Sequence, residues 1–192
     1  MVKLTGFNKI KTTVFISGNG SNLKHLIKFS KTKKSPISID LIISNTSKAK
    51  GLRYANQFKI KKKIFNFKDS KISEKNILIY LKKKNINFIC LAGFMKILSK
   101  KFIEKFGGII INMHPSLLPK HKGLNTHEKA IINKDKFAGC TVHYVSEKLD
   151  SGRIIMQKKI KISVKDTSHS LAKKVLKKEH KLYSSSILKI FS

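Results

Sequence analysis

Ile109 to Gly123 reads IIINMHPSLLPKHKG, and the change of character along it decides the fold. The β-branched run Ile109-Ile110-Ile111 has the type of a buried strand, and it is expected to stop at Asn112-Met113-His114-Pro115. Polar chemistry then begins where the strand ends. In an open α/β sheet the crevice beyond the carboxyl ends of the strands is where ligands bind, so an amide and an imidazole at that edge are well placed for chemistry. In extended chain, alternate residues share a side, which puts Asn112 and His114 together. Pro115 biases His114 towards extended backbone, while Pro119 and Gly123 punctuate a loop that turns away from the sheet. On spacing alone, His114 reads either as a catalytic imidazole or as a loop residue bonded to backbone.

The same alternation of strand and helix runs through the chain. Thr12–Ser17 is strand-like and leads through Gly18-Asn19-Gly20-Ser21-Asn22 into a helix with Leu23, Leu26 and Ile27 inward. That glycine loop is either a tight turn or a phosphate cradle, with Ser21 or Asn22 as helix cap. It lacks the third glycine of a dinucleotide fingerprint and the Gly-Lys-Ser/Thr of a P-loop, which disfavours NAD and nucleoside triphosphates. Further strands are read at Ile37–Ser44, Lys63–Phe65 and Asn87–Ala92, with helices at Ala49–Phe58 and Ser73–Lys84. Ser99 reads as the cap of a helix through Phe106, closed by Gly107-Gly108. After the central loop come a helix at Thr126–Asn133, strands at Cys140–Val145 and Arg153–Ile162, and a closing helix at Thr167–Ile190 that carries Glu179. Asp150, in Asp-Ser-Gly, is by itself a turn aspartate. These elements predict a single domain over residues 1–192: one doubly wound, mostly parallel twisted sheet with helices on both faces.

Composition bounds the partners. The net charge of +32 is carried almost wholly by lysine, with arginine only at Arg53 and Arg153, and the lysines are spread through every segment. Nucleic-acid readers lean on arginine and interleaved aromatics, so the charge is read as compositional drift on a solvated surface, not as a nucleic-acid footprint. Cys90 and Cys140 form no Cys-x-x-Cys pair, which leaves no disulfide framework or zinc site, and no metal is expected. With no run of about 18 apolar residues, and no signal-like core at its start, the chain reads as cytoplasmic with no membrane partner.

Four motifs in order, Ile16-Ser17-Gly18-Asn19-Gly20-Ser21-Asn22-Leu23, Leu91-Ala92-Gly93-Phe94-Met95-Lys96-Ile97-Leu98-Ser99, Asn112 to Pro119, and Leu149-Asp150-Ser151-Gly152, resemble those of the phosphoribosylglycinamide formyltransferases. The resemblance implies a Rossmann-like formyltransferase fold. It also implies formyl transfer from 10-formyltetrahydrofolate, as co-substrate, to the amine of glycinamide ribonucleotide in purine synthesis. It carries the catalytic amide, imidazole and carboxylate onto Asn112, His114 and Asp150. The ribonucleotide site falls on Gly20, Ser21, Asn22 and Glu179. The folate site falls on Met95, Lys96, Ile97, Leu98 and Asn112, on the covering loop Ser146, Glu147, Lys148, Leu149 and Asp150, and loosely on Lys71.

The chemistry asks for donors to a tetrahedral oxyanion, from Asn112 and protonated His114, with Asp150 raising the imidazole pKa and relaying a proton. The chain departs from the family pattern at Lys96, where arginine is usual, at Leu176, and at His121 and Lys122. Partners are expected to be small molecules, the chain acting as monomer or homodimer. The rival expectations are a methionyl-tRNA formyltransferase-like enzyme, a formyltetrahydrofolate hydrolase and a basic nucleic-acid-binding protein.

Overall fold

Every strand that carries an unbroken apolar run lies inside one sheet, because such a run must be covered on both faces. The computed structural model describes residues 9–192; the first eight residues, part of the segment read above as lacking a signal-like core, lie outside the described residues. The strands are β1 (Ile10–Ile16), β2 (Ile37–Ser44), β3 (Lys61–Ile64), β4 (Phe88–Leu91), β5 (Ile109–His114), β6 (Phe137–Tyr144) and β7 (Ile154–Lys161). They form one seven-stranded sheet in the order β3-β2-β1-β4-β5-β6-β7. The first five strands in sequence pair in parallel, and β6 and β7 then add as an antiparallel hairpin on β5.

Helices cover both faces, in agreement with the doubly wound reading. On one face α1 (Ser21–Ser30), α2 (Arg53–Gln57), α5 (Thr126–Ile132) and α6 (Ser168–Phe191) accompany a core that includes Val14, Ile42, Phe88, Ile111, Met113 and Val142. On the other, α3 (Ser70–Lys83) and α4 (Lys100–Phe106) bury Ile77, Leu81 and Phe102 against Phe15, Leu41, Ile89 and Ile110. The closing helix turns Leu171, Val175 and Leu182 inward, as its spacing requires.

Two local expectations need correction. The strand expected to stop at Ile111 runs on to His114, because Asn112, Met113 and His114 pair with β6. The candidate residues therefore stand on the strand and not beyond it. Neither Ser21 nor Asn22 caps α1; the N-cap is Gly20, in left-handed backbone at φ 74°, with no side-chain cap bond. Ser99, by contrast, caps α4 by accepting the Phe102 N–H, and its own hydroxyl and N–H donate to the buried Glu74 carboxylate. That arrangement moors the chain between β4 and α4.

Gly20 is confined twice over, by its positive φ and by Gly51, whose Cα lies 2.7 Å from where a Cβ on Gly20 would stand. Gly20→Ala should therefore cost about 1–3 kcal/mol of stability. A denaturant midpoint equal to the parent's would refute this account of the turn.

Candidate active site

The antiparallel register of β5 and β6 sets Asn112 directly opposite His143 and His114 opposite Thr141. Odd-numbered Ile111 and Met113 face the α1/α6 core, so Asn112 and His114 share the opposite side of the sheet with Ile110. A register irregularity between Val142 and His143 lies beside the same spot, and bulges of this kind re-aim side chains at a strand end. Past β6 the chain returns through the 145–153 loop, closed by the Tyr144 N–H donating to the Arg153 carbonyl. Gly152 lies so close to Tyr144 that a Cβ would collide with its carbonyl oxygen at 1.7 Å. This tight closure drops Asp150, buried and at φ 47°, into the group of Asn112, His114 and His143.

The contacts are specific. Asp150 Oδ2 accepts the Gly123 N–H at 2.9 Å and lies 3.3 Å from His114 Nδ1. Asp150 Oδ1 lies 3.4 Å from Asn112 Nδ2 and 3.6 Å from His143 Nε2. Asn112 Nδ2 also donates to His143 Nε2 at 3.2 Å, since His143 Nδ1 is placed to donate to the Tyr144 carbonyl at 2.9 Å. His114 Nε2 is committed to the His121 carbonyl at 2.9 Å. One nitrogen of each ring is thus tied to backbone, and the other faces Asp150.

The expectation that Asp150 raises the His114 pKa is corrected in its net sign. Burial pushes the imidazole down, and this outweighs the upward pull of the His121 carbonyl and of Asp150; His143 and Lys129 push it further down. Asp150 is held below the usual carboxylate range: burial works against its charge but is outweighed by the nearby His143 imidazole, the Gly123 N–H and the His114 imidazole together.

A cavity of about 920 Å³ opens onto this group. That is at the upper end of small-ligand sites, which run to roughly 1,000 Å³. Asn112, His114, Asp150, Met95, Lys96, Ile97, Leu98, Ser146, Lys148 and Leu149 all line it, with Asn22 and Glu179. Asn22 Nδ2 donates to Glu179 Oε2 at 2.7 Å, joining α1 to α6, and burial raises the Glu179 pKa despite that bond. Exposed apolar side chains, Met95, Ile97, Leu124 and Leu149, are among the lining residues.

Four residues carried over by resemblance are not in the lining: Gly20 and Ser21 form the start of α1, Glu147 pairs with Lys100 at 3.2 Å, and Lys71 is exposed on the first turn of α3. Sequence reasoning passed over His143, His127 and Ser17. The Ser17 hydroxyl donates to Asn45 at 2.6 Å and accepts the Met95 N–H at 2.8 Å, tying the loop after β4 to the loop after β1. The alternation of Cys140–Val145 put His143 on a face, but only the register shows which residues it meets.

The family model described as "Formyl transferase" matches residues 10–187. The chain is 39% identical over 176 residues to the phosphoribosylglycinamide formyltransferase of Haemophilus influenzae, covering 90% of this chain and 83% of that protein. It is 38% identical over 182 residues to the human trifunctional purine biosynthetic protein adenosine-3, where the match covers 93% of this chain but only 18% of the relative's length. Among solved structures, the phosphoribosylglycinamide formyltransferase of Brucella melitensis superposes with a TM-score of 0.90 at 39% identity, covering 95% of this chain and 96% of that one.

Burial also lowers His127, and it lowers His25 and His180, whose rings stack at 4.6 Å between α1 and α6. With His114, these groups bind protons less readily folded than unfolded. Their contribution is whole above the unfolded histidine value of roughly 6.5 and is lost as pH falls through the folded values. The melting temperature should drop between pH 7 and pH 5, less steeply in His25→Phe; a flat profile would contradict the burial account.

Proposed function

The chain belongs to the formyl transferase family, and on that premise we propose that it transfers the formyl group of 10-formyltetrahydrofolate to the amine of glycinamide ribonucleotide, in purine biosynthesis and in the cytoplasm. The observation that carries this reading is the convergence of Asn112, His114 and Asp150 at one point on the wall of a cavity large enough for an extended ligand pair. The relatives named phosphoribosylglycinamide formyltransferase, matched over nearly the whole described chain, supply the substrates.

In this reading the two ends of the cavity divide the work. Asn22 and Glu179, with the N–H groups that start α1 behind Gly20 and Ser21, take the ribonucleotide: helix-start N–H groups suit a phosphate, and the Glu179 carboxylate suits the amine end. The other end, from Met95 to Leu98 and from Ser146 to Asp150, takes the folate. Exposed apolar side chains there suit a flat aromatic ligand, and the backbone of the moored segment before α4 offers donors and acceptors in fixed places. Lys71 and Glu147 have no contact role in this division.

The reaction joins the amine nitrogen to the formyl carbon and breaks the bond from that carbon to the folate nitrogen. A proton leaves the amine, and one must reach the departing nitrogen. Asn112 Nδ2 is the donor for the oxyanion of the tetrahedral intermediate, because its present contacts at 3.2 and 3.4 Å are long and readily exchanged for a stronger one. His114, with a lowered pKa, is neutral at rest near pH 7. The proton shed by the attacking amine is taken up through Asp150 at His114 Nδ1, so the imidazolium stands beside the oxyanion while that charge exists, and the same proton then passes to the departing folate nitrogen. Asp150 stays ionised, steadies that imidazolium, and is placed to pass the amine's proton towards the leaving nitrogen.

His114→Ala and Asp150→Ala should each retain ribonucleotide binding and lose turnover by on the order of a hundredfold or more. Folate release followed spectroscopically, with and without glycinamide ribonucleotide, tests both points. Release that does not depend on the ribonucleotide would mean hydrolysis. Near-parental turnover in both variants would overturn the assignment.

A further inference from the structure

Outside the cavity lining, a second carboxylate–imidazole pair joins the central loop to the turn after α5. His121 Nε2 donates to Asp135 Oδ2 at 2.6 Å, and both side chains are close to nine-tenths buried. Lys120 Nζ reaches the other Asp135 oxygen at 3.1 Å from the solvent side. The hydrogen bond from His121, together with Lys120, holds the Asp135 carboxyl below its ordinary range against the cost of burial. A small cavity of about 10 Å³ adjoins the pair, lined by residues including Ser116, His127, Ala130 and Phe137.

The His121 ring is bonded to Asp135, and its backbone serves His114. Its carbonyl is the group that receives His114 Nε2. The residue holds φ 54°, a left-handed conformation uncommon for a residue with a side chain, and such backbone persists only where the surroundings hold it. Here the holding contacts are the Asp135 bond and the Ser116 hydroxyl donating to the neighbouring Lys120 carbonyl at 2.6 Å. Two residues on, the same loop supplies the Gly123 N–H to Asp150.

We propose that Asp135 and His121 are a positioning pair: by fixing the His121 carbonyl they decide that the proton of neutral His114 sits on Nε2, leaving Nδ1 aimed at Asp150. The hydrogen bond made by one ring nitrogen sets the tautomer of the other. Without the tether the loop carbonyl is free to leave, the Asp150 carboxylate 3.3 Å from Nδ1 competes for the proton, and a neutral His114 no longer keeps Nδ1 free to take one up. The pair touches neither substrate, and its effect on rate rests on the formyl-transfer reading given above; its effect on the His114 tautomer does not.

The test is imidazole ¹⁵N NMR on the full chain, whose seven histidines make assignment by substitution practicable. Above its titration the parent should show His114 protonated on Nε2. In Asp135→Ala the two His114 nitrogen shifts should move towards an averaged tautomer while the His25 and His180 signals stay in place as a check on the fold. Asp135→Asn, which keeps an acceptor for His121, should restore most of the parental pattern. Formyl-transfer kcat should fall roughly tenfold in Asp135→Ala, with KM for both substrates little changed, as expected for misplacement of a catalytic group. His121→Ala should give the same shifts and serves if the first variant does not fold. Parental His114 shifts in a folded variant would overturn the proposal. A parent that shifts as expected but transfers no formyl group would overturn the functional reading alone.

Discussion

A buried carboxylate must find donors, and Asp150 finds them on several separate parts of the chain. The Gly123 N–H comes from the central loop and the Asn112 amide from β5, while the His114 and His143 rings, on β5 and β6, lie 3.3 and 3.6 Å away. Removing one partner from a buried charged group typically costs several kcal/mol because the remaining charge is stranded, roughly 3–5 for an ion pair. The same need therefore pins the loop, the two strands and the 145–153 loop to one another. The close approach of Gly152 to Tyr144, which admits no side chain, is the backbone counterpart of that constraint.

Burial has a second consequence, for the histidines. The site is dry enough to hold His114 below its ordinary pKa even with a carboxylate beside it. An imidazole kept neutral at rest, with its partner anion already in place, gains most when negative charge forms nearby. This is electrostatic preorganisation in a low-dielectric setting, where fixed dipoles and charges act more strongly than in water. The orientation of each ring is set by backbone carbonyls, His121 for His114 and Tyr144 for His143.

The lysines act elsewhere. Lys61, Lys62 and Lys63 occupy the exposed edge strand β3, where charge discourages pairing with another sheet edge. Others cover aromatic faces: Lys159 lies 3.6 Å from the centre of the Phe137 ring and Lys24 lies 5.5 Å from that of Tyr54. A surface of net charge +32 also attracts anionic ligands over distance, more so at low ionic strength.

The amino-acid sequence by itself determined the succession of elements. β2 was read at its observed ends, the Ser99 cap opens α4 where its hydroxyl predicts, and the inward face of α6 follows its period. These are local facts, because side-chain alternation, helical period and capping act over a few residues. Asn112, His114 and Asp150 were legible through motif resemblance, whereas Asp150 on local grounds was only a turn residue. What tertiary structure alone decided was everything that depends on partners distant in the chain. The pairing of β5 with β6 carries the strand past Ile111 and brings His143 to Asn112. Packing buries His114 and reverses the net sign of its shift, and it leaves Lys71, on α3, out of the cavity lining. Register and burial are sums over contacts among remote residues, so no stretch of sequence contains them.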